Sequence, residues 1–238
     1  VDVPKIKSKN FKVLVDAVNS SGGIVIPQLL NALGVDQVDV LFGEPTGNFA
    51  HNPEPLPENL TEMISKMKAG NYDLGAVVDP DVDRLCFISE DGTPFGEEYT
   101  LVAVADYVLS VKPGNTVSNL SSTRALADVT RKAGGEYFAA AVGEVNVVTQ
   151  MKAVNAIIGG EGNGGVIFPE SHYGRDSLVG IGLFLTHLAN KGIKASELRA
   201  SYPAYVISKN KIELSADLNV DLILATVAEK YKNEKVNT

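Results

Sequence analysis

Short aliphatic runs recur along this chain, each followed by a stretch with helical spacing, and that alternation dictates the fold class. An unbroken apolar run of strand length reads as a strand buried on both faces, and the helical stretches between such runs cover those faces. The expected result is α/β layering around mostly parallel sheets. Residues 11–16 read as a strand, followed by the polar glycine turn Asn19-Ser20-Ser21-Gly22-Gly23 and a helix over 24–33. A strand at 38–42, a Pro- and Asn-rich loop over 43–57 and a helix at 60–69 come next. The strand 74–78 has a return at 85–89, a hairpin turn at Asp91-Gly92 and a helix at 100–111. Lys112-Pro113-Gly114-Asn115 breaks the pattern, and it then restarts. Strands are expected at 116–120, 136–140, 155–158 and 166–168, with helices at 123–133, 143–152 and 177–189. The predicted architecture is two tandem α/β/α domains with mixed, mostly parallel sheets, over 1–112 and 113–215. A tail over 216–238 carries one more amphipathic helix at 217–231.

Bulk properties narrow the function classes. At 238 residues the chain accommodates one large domain or two of roughly 100–120 residues, and 45% hydrophobic residues supply an aliphatic core without any Trp. A net charge of −8 argues against nucleic acid or an anionic membrane as the main partner. The single cysteine, Cys86, lies in an apolar run, reads as a small buried hydrophobe and fits a reducing cytoplasm. No apolar stretch reaches membrane-span length, and no signal-peptide pattern opens the sequence. The chain begins at Val1 instead of Met, so a processed or cut fragment is expected.

The strand 74–78 runs straight into Asp79-Pro80-Asp81-Val82-Asp83-Arg84. A strand tip projects such a loop from a rigid sheet, letting three alternating carboxylates converge. They repel one another unless a hard cation such as Mg²⁺ lies among them. Arg84 adds a positive fork suited to a phosphate oxygen, so the local reading is a divalent-metal site for phosphoryl chemistry. Counted from Asp79, the ligand spacing of an EF-hand is met by Asp81, Asp83 and Glu90. Arg84 nevertheless occupies the turn position that demands Gly, and the flanks are strands, so that reading fails. A haloacid-dehalogenase-type phosphatase, with Asp79 as nucleophile, stays open, although Asp83 stands where that motif has Thr.

Gly160-Glu161-Gly162-Asn163-Gly164-Gly165 satisfies G-x-G-x-x-G, but Val166-Ile167-Phe168-Pro169 follows, so no helix opens at a pyrophosphate. An acidic residue in the loop would also repel phosphate. Glu161 and Asn163 offer acceptors and a donor, and the glycines allow close backbone approach, a combination suited to vicinal sugar hydroxyls or to an ordinary turn. His51, His172 and His187 have no metal-ligand spacing.

Together these segments resemble the α-D-phosphohexomutase superfamily, which interconverts the 1- and 6-phosphates of glucose, mannose or glucosamine. Asp79–Arg84 resembles its metal loop DGDxDR, with Pro80 at the Gly place. Gly143-Glu144-Val145-Asn146 resembles the third-domain segment before the sugar loop. Gly160–Gly165 resembles the sugar loop itself, with Asn163 in place of Ser. The run from Pro53 to Leu60 resembles the second-domain loop ahead of the metal strand. Ser121-Ser122-Thr123-Arg124 and Tyr173-Gly174-Arg175-Asp176 fall where two further family loops lie. The resemblance implies that Asp79, Asp81 and Asp83 ligate Mg²⁺ and that Arg84 contacts the enzyme's phosphoserine. It also implies that Glu161, Asn163, Gly143, Glu144, Arg124 and Arg175 bind a hexose phosphate or hexose bisphosphate. Some relatives carry His at the place of Glu144.

The family's nucleophilic serine loop is not found. Phe49-Ala50-His51-Asn52-Pro53 echoes it with Ala50 at the serine place, but its surroundings suit the second-domain loop better. The fourth domain's phosphate-binding run is also not found, and the tail resembles only its lead-in. The expectation is therefore domains two and three of a four-domain cytoplasmic mutase, inactive alone. Besides the phosphatase, the competing class is a non-catalytic sugar- or metal-binding module.

Overall fold

The computed structural model describes residues 1–208, 213–215 and 218–234. Its elements in chain order begin α1 (Val3–Lys7), β1 (Lys12–Asp16), α2 (Gly22–Ala32), β2 (Gln37–Leu41), α3 (Thr61–Gly70), β3 (Leu74–Val78), β4 (Leu85–Ser89) and α4 (Glu97–Val111). They continue as β5 (Thr116–Asn119), α5 (Ala125–Lys132), β6 (Tyr137–Ala140), α6 (Glu144–Ala153), β7 (Ile158–Gly160), β8 (Val166–Ile167), α7 (Ser177–Lys191), α8 (Ala195–Ala200) and α9 (Val220–Lys230). Residues 1–205 form one compact unit and 206–238 a second, which contains α9, capped by the Asn219 side chain. Asp217, the first residue of the helix expected in the tail, lies outside the described residues. Among the described residues no helix is long and apolar enough to cross a membrane.

The first unit holds two α/β/α layers built to one plan. One sheet has strand order β2-β1-β3-β4 and the other β6-β5-β7-β8. In each, the first three strands are parallel and the last is an antiparallel edge. Parallel neighbours need a crossover segment, which α2, α3, α5 and α6 supply, whereas the antiparallel edge needs only a tight loop. Each sheet therefore has one short loop leaving its third strand: residues 79–84 after β3 and 161–165 after β7. Both loops leave the carboxyl end of a strand beside the point where strand order reverses, the place where open α/β sheets bind ligands.

Alternation along the strands splits the core. Val13, Val15, Leu74, Ala76, Val78, Leu85 and Phe87 face one cluster, while Leu14, Val77, Cys86 and Ile88 face Met63 and Met67 of α3. The larger cluster runs on through α4 and α7 to Ile158 and Val166 of the second sheet. Its centre is an aromatic stack, with Phe87 and Phe184 at 3.9 Å between ring centroids and Phe95 edge-on to Phe184 at 5.2 Å. Cys86 is buried as expected, and burial pushes its thiol up to about 12.

The differences from the sequence reading have local causes. Helix α2 begins at Gly22, inside the expected glycine turn, because its first turn packs against neighbouring backbone. A Cβ on Gly23 would lie 2.0 Å from the Gly43 carbonyl oxygen. The strand expected at 155–158 is shifted: Asn155 sits at φ 51° in a turn, and Ile158–Gly160 pair instead. Gly159 and Gly160 belong inside the strand because Cβ atoms there would meet Met151 Sδ at 2.5 Å and the Gly165 carbonyl oxygen at 2.1 Å. Helix α4 starts at Glu97, earlier than the expected 100, since Gly96 (φ 94°) turns the chain and two glutamates suit a first turn. Helices α1 and α8 are too short for periodicity to reveal them.

Candidate metal centre and the loop beside it

The loop after β3 is wound around Asp79. Its Oδ1 accepts from the backbone N–H groups of Asp83 and Arg84, both at 3.0 Å, and the Asp79 carbonyl accepts from Val82 N at 3.2 Å. The tight winding puts Val82, a β-branched residue, at φ 62°, an uncommon conformation held by its surroundings. The outcome is convergence: one carboxylate oxygen from each of Asp79, Asp81 and Asp83 lies within 4.8 Å of the others. Asp79 is buried at 6% exposure, Asp83 is half-buried and Asp81 is exposed.

Electrostatics follow from that crowding. Burial, and then the nearby Asp83 and Asp81 charges, push Asp79 up to about 6 despite its two N–H donors. Burial also raises Asp83, opposed mainly by Arg175. Asp83 Oδ2 accepts from Arg175 Nη2, while Asp83 Oδ1 is buried without a hydrogen-bond donor. An all-oxygen set of three carboxylates with one oxygen left unsatisfied fits a hard divalent cation. Arg84 stands beside the cluster, Nε 3.7 Å from Asp79 Oδ2 and 4.0 Å from Asp83 Oδ1, with Nη1 held by Glu54.

The glycine loop lies directly against this cluster. Gly164 carbonyl accepts from Leu85 N at 3.2 Å, at the first residue of β4. Gly164 has φ 86°, and a Cβ there would stand 2.2 Å from the Leu85 carbonyl oxygen. Glu161, 5% exposed, is fully engaged on Oε1 by Asn119 Nδ2 at 2.8 Å and Gly143 N at 3.2 Å, while its Oε2 takes Arg175 Nη1 at 3.0 Å. Glu144, at the start of α6, accepts from Arg175 Nε at 3.1 Å. Asn163 Oδ1 folds back onto Gly165 N at 3.2 Å.

Thus Asp79, Asp81, Asp83, Arg84, Gly143, Glu144, Glu161, Asn163 and Arg175 come together. Arg124 is exposed at the N-cap of α5 and is not drawn into this network. Two contributors were missed from sequence. Asn119 ends β5 and binds both Glu161 and, through Oδ1, Ser122 Oγ at 2.7 Å. Asp16 ends β1 and meets His51 Nε2 at 3.2 Å, bracing the loop that carries Glu54. A polar residue closing the central strand of each sheet was the available signal.

Comparison with known proteins agrees with this arrangement. Phosphoglucomutase/phosphomannomutase α/β/α domain II matches residues 1–92, and domain III of the same family matches 96–205. A phosphoglucomutase/phosphomannomutase of Thermococcus kodakarensis is 36% identical over 100% of this chain and 52% of its own length. The crystal structure of a phosphoglucomutase/phosphomannomutase family protein from Burkholderia thailandensis is 33% identical, with a TM-score of 0.75 over 86% of this chain and 46% of that one. A more distant fold likeness is the Aspergillus fumigatus N-acetylphosphoglucosamine mutase solved with GlcNAc-6P and magnesium. It is 15% identical, with a TM-score of 0.63 over 84% of this chain and 51% of that one. The chain spans about half the length of the curated relatives it matches. Matched in order along both of its sheets, the chain belongs to the phosphoglucomutase/phosphomannomutase family and comprises that family's α/β/α domains II and III.

Proposed function

We propose that the whole protein is a Mg²⁺-dependent intramolecular phosphotransferase that moves phosphate between C1 and C6 of a hexose phosphate. The reaction runs through a phosphoserine and a hexose bisphosphate. The observation that supports this reading is the meeting of a three-carboxylate loop and a polar glycine loop at adjoining sheet ends. Asp79, Asp81 and Asp83 hold the cation, which when bound stabilises negative charge on the transferring phosphoryl group. Arg84, tied to Glu54 by one N–H, keeps its remaining donors for an oxygen of the phosphoserine. Glu161 and Asn163 take sugar hydroxyls in either orientation of the sugar. Gly143, Glu144, Arg124 and Arg175 complete the substrate-binding set. Glu161 has roughly four acceptor positions, three of them filled, so one is left for a hydroxyl.

The nucleophilic serine and the distal phosphate-binding loop come from first and fourth domains of the same protein. This chain divides at 1–112, 113–215 and a 216–238 lead-in, and a lone buried cysteine accords with a cytoplasmic setting. Alone, the chain is expected to turn over neither as mutase nor as phosphatase. Joined to both missing domains and given Mg²⁺, it should convert glucose 1-phosphate. In that protein Asp81→Ala should lower the rate at least ~100-fold, and a near-normal rate would overturn the metal assignment. Phosphate release by the short chain, abolished by Asp79→Asn, would make Asp79 a nucleophile instead.

A further inference from the structure

One side chain joins the two loops. Each of the three Arg175 guanidinium nitrogens reaches a different carboxylate. Nη2 donates to Asp83 of the metal loop, Nη1 to Glu161 of the glycine loop at 3.0 Å, and Nε to Glu144 at the head of α6 at 3.1 Å. These partners lie 92, 14 and 31 residues away in sequence, so no local turn chemistry accounts for the set. The stem is equally constrained, since a Cβ on Gly165 would come within 2.4 Å of Arg175 Cδ. Its backbone is pinned as well, bridged to Ile167 and followed by Asp176, whose N–H bonds the Val166 carbonyl and whose side chain caps α7. At 16% side-chain exposure this is a largely desolvated fork. Packing alone would be met as well by an apolar residue, because desolvated ion networks carry a large penalty.

Asp83 shows what the network does. Its Oδ2 is held by Arg175 and its Oδ1 is buried without a donor, so the carboxylate is fixed through one oxygen and unpartnered at the other. A partner of that kind behind a metal-ligating carboxylate fixes its orientation and governs metal affinity. We propose that Arg175 is a positioning residue that couples the two loops. It orients Asp83 for the divalent cation and, with the same fork, holds Glu161 and Glu144, so metal occupancy and glycine-loop geometry depend on each other. This deepens the proposed function and rests on its metal assignment. Linkage requires the coupling to be reciprocal, so a ligand that orders the glycine loop should also tighten the cation.

The test uses the 238-residue chain, Mg²⁺ titration by calorimetry, and amide hydrogen exchange with and without Mg²⁺. In the wild type, saturating Mg²⁺ should slow exchange in the 160–165 loop and at Gly143. Arg175→Gln should weaken Mg²⁺ binding about 10–100-fold and abolish the loop response at saturation. Exchange in β1, β3 and β5 should stay unchanged, as a check on folding. Arg175→Lys, which keeps the charge but spans one carboxylate, should also bind Mg²⁺ more weakly and lose most of the loop response. This second variant keeps the test decisive if the Gln variant misfolds. Equal affinity and an unchanged loop response in Arg175→Lys would overturn the coupling while leaving the metal site standing. A wild type that binds Mg²⁺ no better than Asp81→Asn would overturn the metal assignment and the coupling with it.

Discussion

Asp79 concentrates the chemistry of the metal loop in one residue. Its Oδ1 organises the loop by accepting two backbone N–H groups, yet burial and the neighbouring Asp83 and Asp81 oppose its ionisation. Its value is raised from 3.8 to about 6 on folding, so the native state holds that proton more tightly than the unfolded chain. The contribution of Asp79 to stability is therefore greatest below the unfolded value and declines as pH rises through the interval up to about 6. Asp79→Asn keeps the Oδ1 acceptor and removes the charge. With metal chelated, it should gain on the order of 1–2 kcal/mol in urea unfolding at pH 8, after allowance for solvent screening, and nothing at pH 3.5. Equal stability at both pH values would contradict the assigned burial cost. The three alternating aspartates were legible because a strand tip and its loop are local in sequence. For Arg175 the sequence resemblance implies substrate binding, whereas its three carboxylate partners come from tertiary packing, which no spacing rule encodes.

At the scale of elements, the two site loops are equivalent members of two similar sheets, each joining a third parallel strand to its antiparallel edge. They touch where Gly164 passes over the start of β4. Gly164→Ala should cost about 2–3 kcal/mol in chemical unfolding, combining left-handed strain with a clash against the Leu85 carbonyl. Gly47→Ala is the control, since its φ of 73° carries the same strain but nothing lies within 4 Å of the added Cβ, and it should cost only ~1 kcal/mol. If the two variants lose equal stability, the close approach of the loops is not what requires Gly164. Strands such as Leu74–Val78 and Leu85–Ser89 were legible to the residue, because five-residue length and flanking turn signals decide a short apolar run in favour of a strand. Glycines misled where neighbouring atoms crowd the chain. Gly22 and Gly159 look like chain breakers in sequence, yet they lie inside a helix and a strand that need the missing Cβ.

At the scale of the whole molecule, the two sheets share one apolar core through α4 and α7, with Phe184 stacked on Phe87 at its centre. Residues 1–205 should accordingly unfold in one transition. Phe184→Ala should lower stability by about 3–5 kcal/mol. Hydrogen exchange should show amides of β3 in the first sheet and β7 in the second losing protection together. Protection lost in the first sheet alone would mean that the shared core does not couple the layers.

Sequence by itself determined the α/β class, the two-layer repeat, the carboxylate loop and the glycine loop, because strand and helix periods, turn residues and short motifs are local properties. Tertiary structure alone decided that the two loops adjoin, that Glu161 is buried and held by Asn119 and Gly143, and that Arg175 ties them to Asp83. Those facts depend on how helices α4 and α7 bring one sheet's edge against the other's. That packing is set by the summed burial of many side chains far apart in the chain.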